Sequence, residues 1–363
     1  MIPAIENGYQ QRSGDMKKKN MYKGKVMMTL SLLLAVLLLL GGCGNGQAGS
    51  SAESGVEAGA GAGTAQTPSP VPVAENTEAK GSGTRVYTDA VSREVEIPEH
   101  PQRIIAHYFA PEMLAIKAPI IGTNYNNAKL SLSDEELADI EDIGGDGINP
   151  NTEKMLSLEP DLILLPDFLE AETIEQVAQI APTVVMSYSE ETFARLQKLG
   201  DVAGLPGAAD EFITEYNAKV EQKREELKPF IKDGETASAF ILHSDRKLYV
   251  YGPQRLGPTM YEAFGFKQPD KLAELTASAP DALWTEISLE VLPEYAGDHI
   301  FLVKPSESEE ALKMSEELQN NPVWKNMPAV KNGQAYVVGS RWALNDPLTL
   351  DWLLDEMAGV LMP

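Results

Sequence analysis

Eight short apolar runs flank a 24-residue stretch, Ala208–Ile231, that has no glycine and no proline before Pro229. The runs before it are RIIA (Arg103 to Ala106), PIIG (Pro119 to Gly122), DLILL (Asp161 to Leu165) and TVVM (Thr183 to Met186). Those after it are SAFILH (Ser238 to His243), KLYVYG (Lys247 to Gly252), HIFLV (His299 to Val303) and QAYVVG (Gln334 to Gly339). Short continuous apolar runs separated by helical patterns are what strands buried on both faces look like, so the chain predicts an α/β fold with largely parallel sheets. In the long stretch Phe212, Ile213, Tyr216 and Val220 recur at helical spacing. At 1.5 Å per residue it makes a helix roughly 30 to 35 Å long, a strut between two strand-rich halves rather than a loose hinge. A last helix is expected over Pro347–Leu361. Pro111 suits an early helical position, and Ser133 with Glu136 reads as a capping box.

The first 84 residues follow other rules. Lys17, Lys18, Lys19, Lys23 and Lys25 precede an apolar run, Leu32 to Leu40, too short for the ~20 residues a membrane span needs. Leu40-Gly41-Gly42-Cys43 follows. This order reads as an export signal over residues 1–42 with Cys43 as the lipidated first residue of the mature chain; Met16, before three lysines, is itself an ordinary start. Residues 43–84 are Gly, Ala, Ser, Glu, Thr and Pro with almost no large apolar side chain, the composition of a tether. Its GAGAG stretch, Gly59 to Gly63, is no phosphate loop, since no strand precedes it and no helix follows. The organisation expected beyond is a lobe over 85–205, the interlobe helix over 206–232 and a second lobe over 233–363.

Charge and residue supply narrow the function. The net charge is −24, and because the first 42 residues hold six basic and two acidic side chains, the chain from Cys43 on carries −28. Such a chain is a poor partner for nucleic acid. Cys43 is the only cysteine, which removes intramolecular disulfides, thiolate clusters and cysteine nucleophiles. His100, His107, His243 and His299 are too few and too scattered for a free-metal carrier. No Gly-x-Ser-x-Gly, His-Glu-x-x-His or phosphate-loop motif points to an enzyme. One weak repeat suggests related halves: Glu153 lies eight residues before Asp161 and its strand, and Glu290 eight before Asp298 and its strand, with helices of matched length preceding the strands.

Four segments, TDAVSREVEIPEHPQRIIA, NTEKMLSLEPDLILL, ISLEVLPEYAGDHIFL and NPVWKNMPAVKNGQAYVV, occur in an order that resembles the class III periplasmic binding proteins. These are lipoproteins that deliver ferric siderophores, haem or vitamin B12 to ATP-driven importers. The resemblance covers roughly Arg85 to Pro363. It implies two Rossmann-like α/β lobes joined by one long helix, a ligand held between them with only small closure, and a monomer without catalysis or cofactor. It further implies that Glu153 and Glu290, one on each lobe, dock on arginines of the permease dimer, where a carboxylate and a guanidinium form charge-assisted bonds.

The segment LYVYGPQRLGPTMYEAFGF, Leu248 to Phe266, is similar to the ferric-hydroxamate branch and sets Tyr249 against the iron complex. Where that branch often continues Trp-Gly-Arg, this chain has Arg255-Leu256-Gly257, so Arg255 is the candidate positive charge. A Fe(III)-siderophore complex is bulky and largely apolar with oxygen acceptors around the iron, which aromatic faces and arginine suit. His107, Tyr108, Tyr125 and Trp284 are the further wall candidates. Arg341 and Trp342 join them because they follow a strand where open α/β sheets place ligand loops. Vitamin B12 or haem is the alternative cargo. Trp324 and Trp352 are assigned to packing.

Overall fold

The computed structural model describes residues 83–362 apart from 146, 244, 281 and 307. Cys43, the export signal and the tether lie outside the described residues. The chain begins with an antiparallel hairpin, β1 (Thr84–Thr88) and β2 (Glu94–Pro98). Asp89 builds its turn: Oδ1 accepts the backbone N–H of Val91 and Arg93, and Oδ2 accepts Nε and Nη2 of Arg93 at 2.9 and 2.7 Å. Arg93 then reaches the Thr183 carbonyl, tying the hairpin to the first sheet.

That sheet is parallel throughout: β3 (Ile104–Ala106), β4 (Ile120–Thr123), β5 (Glu141–Asp142), β6 (Leu162–Pro166) and β7 (Thr183–Met186), in the order β5-β4-β3-β6-β7. β3, β6 and β7 are buried at every step because both faces are covered, whereas the edge strand β5 is exposed. Ile104, Leu162, Leu164 and Val184 pack on one side, Ile105, Ile163, Leu165 and Val185 on the other. Each such side chain contributes about 1.5 to 3 kcal/mol on burial.

The helices that matter to the site are α1 (Ala110–Ala115), α2 (Thr152–Ser157), α3 (Thr192–Val202), the strut α4 (Ala208–Leu227) and α5 (Pro347–Leu361). α4 opens at Gly207, whose φ of 94° few other residues adopt. Pro111 is the second residue of α1. The capping box forms, with Ser133 N and Glu136 N each bonded to the other's side chain, yet residues 134–139 are turns and not a helix.

The second sheet is β8 (Ala237–Leu242), β9 (Leu248–Tyr251), β10 (Trp284–Ile287), β11 (His299–Val303) and β12 (Ala335–Val338), in the order β10-β9-β8-β11-β12. It corrects the parallel expectation. β8, β11 and β12 run parallel, whereas β9 returns through a tight hairpin and pairs antiparallel with β8 and β10. Arg246, at φ 66°, makes that hairpin possible. Between β9 and β10 a π-helix, Pro258–Ala263, follows the Arg255 loop.

The two sheets solve one problem alike. Asp161, just before β6, accepts the backbone N–H of Gln102 and Arg103, which lead into β3; Asp298, just before β11, accepts N–H and Oγ1–H of Thr236, which leads into β8. The helices before these strands differ in length, however: Thr152–Ser157 against Leu292–Tyr295. α5 adds a second connection between the halves. It packs on α1 and α3 as well as α4, and Lys219 of α4 bonds Asp351 and Asp355 at 2.8 and 2.7 Å. Among the described residues no helix is long and apolar enough to cross a membrane.

Candidate functional site

Strand order fixes where the site falls. Each sheet reverses its winding between two central strands, β3 and β6 in one and β8 and β11 in the other. At such a switch point the loops leaving the carboxyl ends diverge and open a crevice. In the first half those loops carry Tyr108 after β3, Phe168 after β6 and Tyr188 after β7. The three rings meet edge to face, with centroids 5.2 Å (Tyr108–Phe168), 5.3 Å (Phe168–Tyr188) and 6.1 Å (Tyr108–Tyr188) apart.

The second half answers with its own aromatic group. Trp284 stands 5.7 Å from Tyr251, 5.7 Å from His243 and 5.6 Å from Tyr249. Leu248 and Val250 point into the core while Tyr249 and Tyr251 share the opposite face, as the twofold period of a strand requires.

Between these groups lies a narrow chamber of about 60 Å³. The first half lines it with Asn127, Leu130 and Tyr188, the second with Ile241, His243, Tyr251, Arg255, Trp284 and Val303 among others. It runs down into a polar end of about 30 Å³, where Tyr108, Glu112, Arg195 and Asp346 appear, and Tyr188 and Arg255 line both.

A buried ion pair closes the floor. Glu112 Oε1 accepts Nε and Nη2 of Arg195 at 3.0 and 2.8 Å. Arg195 also donates to the carbonyls of Tyr188 and Glu190, and to that of Asn345 in the second half at 2.7 Å. Burial pushes the Glu112 carboxyl up, and Arg195 only partly opposes this. Burial also raises Asp346, despite the Thr349 N–H and hydroxyl it accepts as the cap of α5.

Of the residues singled out from sequence, Arg255, Trp284 and Tyr108 line this cleft. Tyr249 stands beside it, its hydroxyl donating to Asp245 Oδ2 at 3.1 Å. His107 is fully buried behind Tyr108. Asn124 Oδ1 caps the following turn, so its amide donates to His107 Nε2 and the imidazole proton sits on Nδ1. Burial lowers the ring's pKa from 6.5 to about 3. Tyr125 is held away, its hydroxyl on the carbonyls of Leu137 and Ile140. Arg341 and Trp342 form no part of the lining: Trp342 is packed beside Phe301 and Trp352, and the Arg341 guanidinium lies 4.2 Å over the Trp352 ring. Their neighbours Ser340, Ala343 and Leu344 reach the chamber instead.

The sequence reading missed Tyr188, Tyr251, Phe168 and the Glu112–Arg195 pair. For Phe168 and Tyr188 the available signal was a ring two residues past the strand, as Tyr108 stands two past β3. Glu153 and Glu290 are both exposed, Glu153 in the first turn of α2 and Glu290 in the turn before Leu292–Tyr295. The Ser288 hydroxyl and its own backbone N–H hold the Glu290 carboxyl below its usual pKa. Among the described residues no three His, Cys, Asp or Glu side chains converge as a metal site would need.

A cleft walled by rings from two lobes, with charged groups that pair with one another and not with a nucleophile, is built to hold a ligand. The chain belongs to the periplasmic binding protein family, whose model matches residues 111–342. It is an extracytoplasmic binding protein and not an enzyme. It is similar to the iron(3+)-hydroxamate-binding protein YxeB of Bacillus subtilis, 27% identical over 321 residues that cover 86% of this chain and 89% of that one. The iron(3+)-hydroxamate-binding protein FhuD of the same organism is 29% identical over 294 residues, 77% of this chain and 89% of the relative. Among solved structures, FhuD2 of Staphylococcus aureus with bound ferrioxamine B superposes with a TM-score of 0.61 at 26% identity, covering 72% of this chain and 98% of that one.

Proposed function

We infer that this chain is the membrane-tethered receptor of an ABC importer, capturing a ferric siderophore of the hydroxamate type and presenting it to the permease. The observation that carries the reading is the interlobe chamber itself. Aromatic and aliphatic faces from both lobes offer contact area to a bulky chelate, and Arg255 at the junction of its two compartments offers a donor that cannot lose its proton to chelate oxygens. The hydroxamate-binding relatives support the same choice. On the outer surface, Glu153 and Glu290 are the proposed permease contacts. Leu156, on the same short helix as Glu153, is 61% exposed and supplies an apolar neighbour such a contact can cover. Cys43 is the proposed lipid attachment.

The test is a fluorescence titration of the full chain with ferric hydroxamate, catecholate and carboxylate chelates, cobalamin and haem. Trp284 in the chamber wall is the reporter. Saturable quenching by a ferric hydroxamate at submicromolar concentration is the expected result. A response confined to cobalamin or haem overturns the assignment.

A further inference from the structure

Two buried polar atoms at the foot of the cleft have no hydrogen-bond partner among the described residues. Tyr108 and Glu112 are each 2% exposed, and neither the Tyr108 hydroxyl nor Glu112 Oε2 makes a hydrogen bond. Both residues line the polar end of the chamber. A buried oxygen left in that state marks a place where something else brings the partner.

Neither atom is free to turn elsewhere. Glu112 Oε1 is held by two N–H groups of Arg195, and Arg195 spends its remaining bonds on three carbonyls, so Oε2 keeps its aim. The Tyr108 ring is wedged against the edges of Phe168 and Tyr188. Two carboxyls, Glu112 and Asp346, and two guanidiniums, Arg195 and Arg255, line this end. Two fixed positive charges beside an acceptor to fill disfavour a cation and favour a neutral donor.

We propose that the polar end, a small cavity lined by both Glu112 and Tyr108, is a specificity subsite for an uncharged N–H or O–H donor on the periphery of the bound chelate. The proposal rests on the reading that this cleft holds a ferric chelate. It assigns discrimination among chelates to atoms remote from the iron.

The test uses pairs of ferric trihydroxamates with the same iron shell, each carrying one peripheral hydroxyl or amide N–H and its methylated counterpart. They are titrated into the full chain and into Tyr108→Phe and Glu112→Gln. For at least one pair the unmethylated chelate is expected to bind the unaltered protein about tenfold more tightly, the usual worth of a hydrogen bond to a charged group. Both variants should bring that ratio close to one. Tyr108→Phe leaves the ion pair intact and decides alone if Glu112→Gln does not fold. A ratio unchanged in the variants, or no discrimination by the unaltered protein because the cavity holds only water, overturns the subsite. If no ferric chelate binds the folded protein, the functional reading fails and the subsite with it.

Discussion

Two residues show how far a side chain's neighbourhood departs from its type. His107 is neutral in the folded state down to about pH 3, yet once unfolded it takes a proton below its ordinary 6.5. Its contribution to stability is complete above pH 6.5 and is lost as pH falls towards 3, at about 1.4 kcal/mol per pH unit. Glu112 and Asp346 act in the opposite sense: with carboxyl pKa values raised by burial, they favour the folded state as pH falls. In urea melts, His107→Gln should remove the acid-side loss between pH 6.5 and 5 that the unaltered protein shows; equal slopes for the two proteins would contradict the assignment. Arg255 departs in its backbone, with φ at 62°. Strain of this kind costs on the order of 1 kcal/mol. Arg255→Gly should therefore melt higher than Arg255→Ala, by about 1 kcal/mol of stability, although both lose chelate affinity. The sequence named Arg255 as the candidate charge, but φ is set by the loop that delivers the arginine.

At the scale of elements, α1 and α3 meet through the Glu112–Arg195 pair. Both ends are buried, so removing one leaves the other uncompensated. Arg195→Leu is expected to cost about 3 to 5 kcal/mol, and Glu112→Leu with Arg195→Leu should recover much of that loss in a denaturation cycle. Local signals in the sequence set some elements and not others. The strut's start, α5, β7 and β11 fall where periodicity set them. The capping box at Ser133 satisfies its own hydrogen bonds, but a cap does not propagate a helix unless the following turns find a face to bury. The reversed direction of β9 and the π-helix after Arg255 were not legible. An apolar run has the same pattern whichever way it pairs, and the π-helix is held in part by a contact distant in sequence, Arg224 on the carbonyls of Glu262 and Ala263.

For the molecule as a whole, the prediction is transport. Glu153→Ala with Glu290→Ala should abolish siderophore uptake in cells and leave chelate affinity unchanged, since both carboxylates are exposed and neither lines the chamber. Uptake that survives the double substitution would remove the docking proposal. α4 and α5, cross-linked through Lys219 and Lys223 to Asp355, brace the two halves together. Scattering of the free and loaded protein should consequently differ little, and a large compaction on binding would show that the brace yields.

The sequence by itself determined the two α/β halves, their strut, the acidic character of the chain and the family, because alternation of buried strands with helices and the spacing of motifs are properties of neighbours along the chain. Only the tertiary structure decided which side chains meet. Tyr108, Tyr188, Tyr251 and Arg255 come together because two sheets reverse at their centres, and Trp342 faces the core because its turn is packed under α5. Contacts between residues more than a hundred positions apart, such as Arg195 with Asn345, are set by topology, which no local pattern encodes.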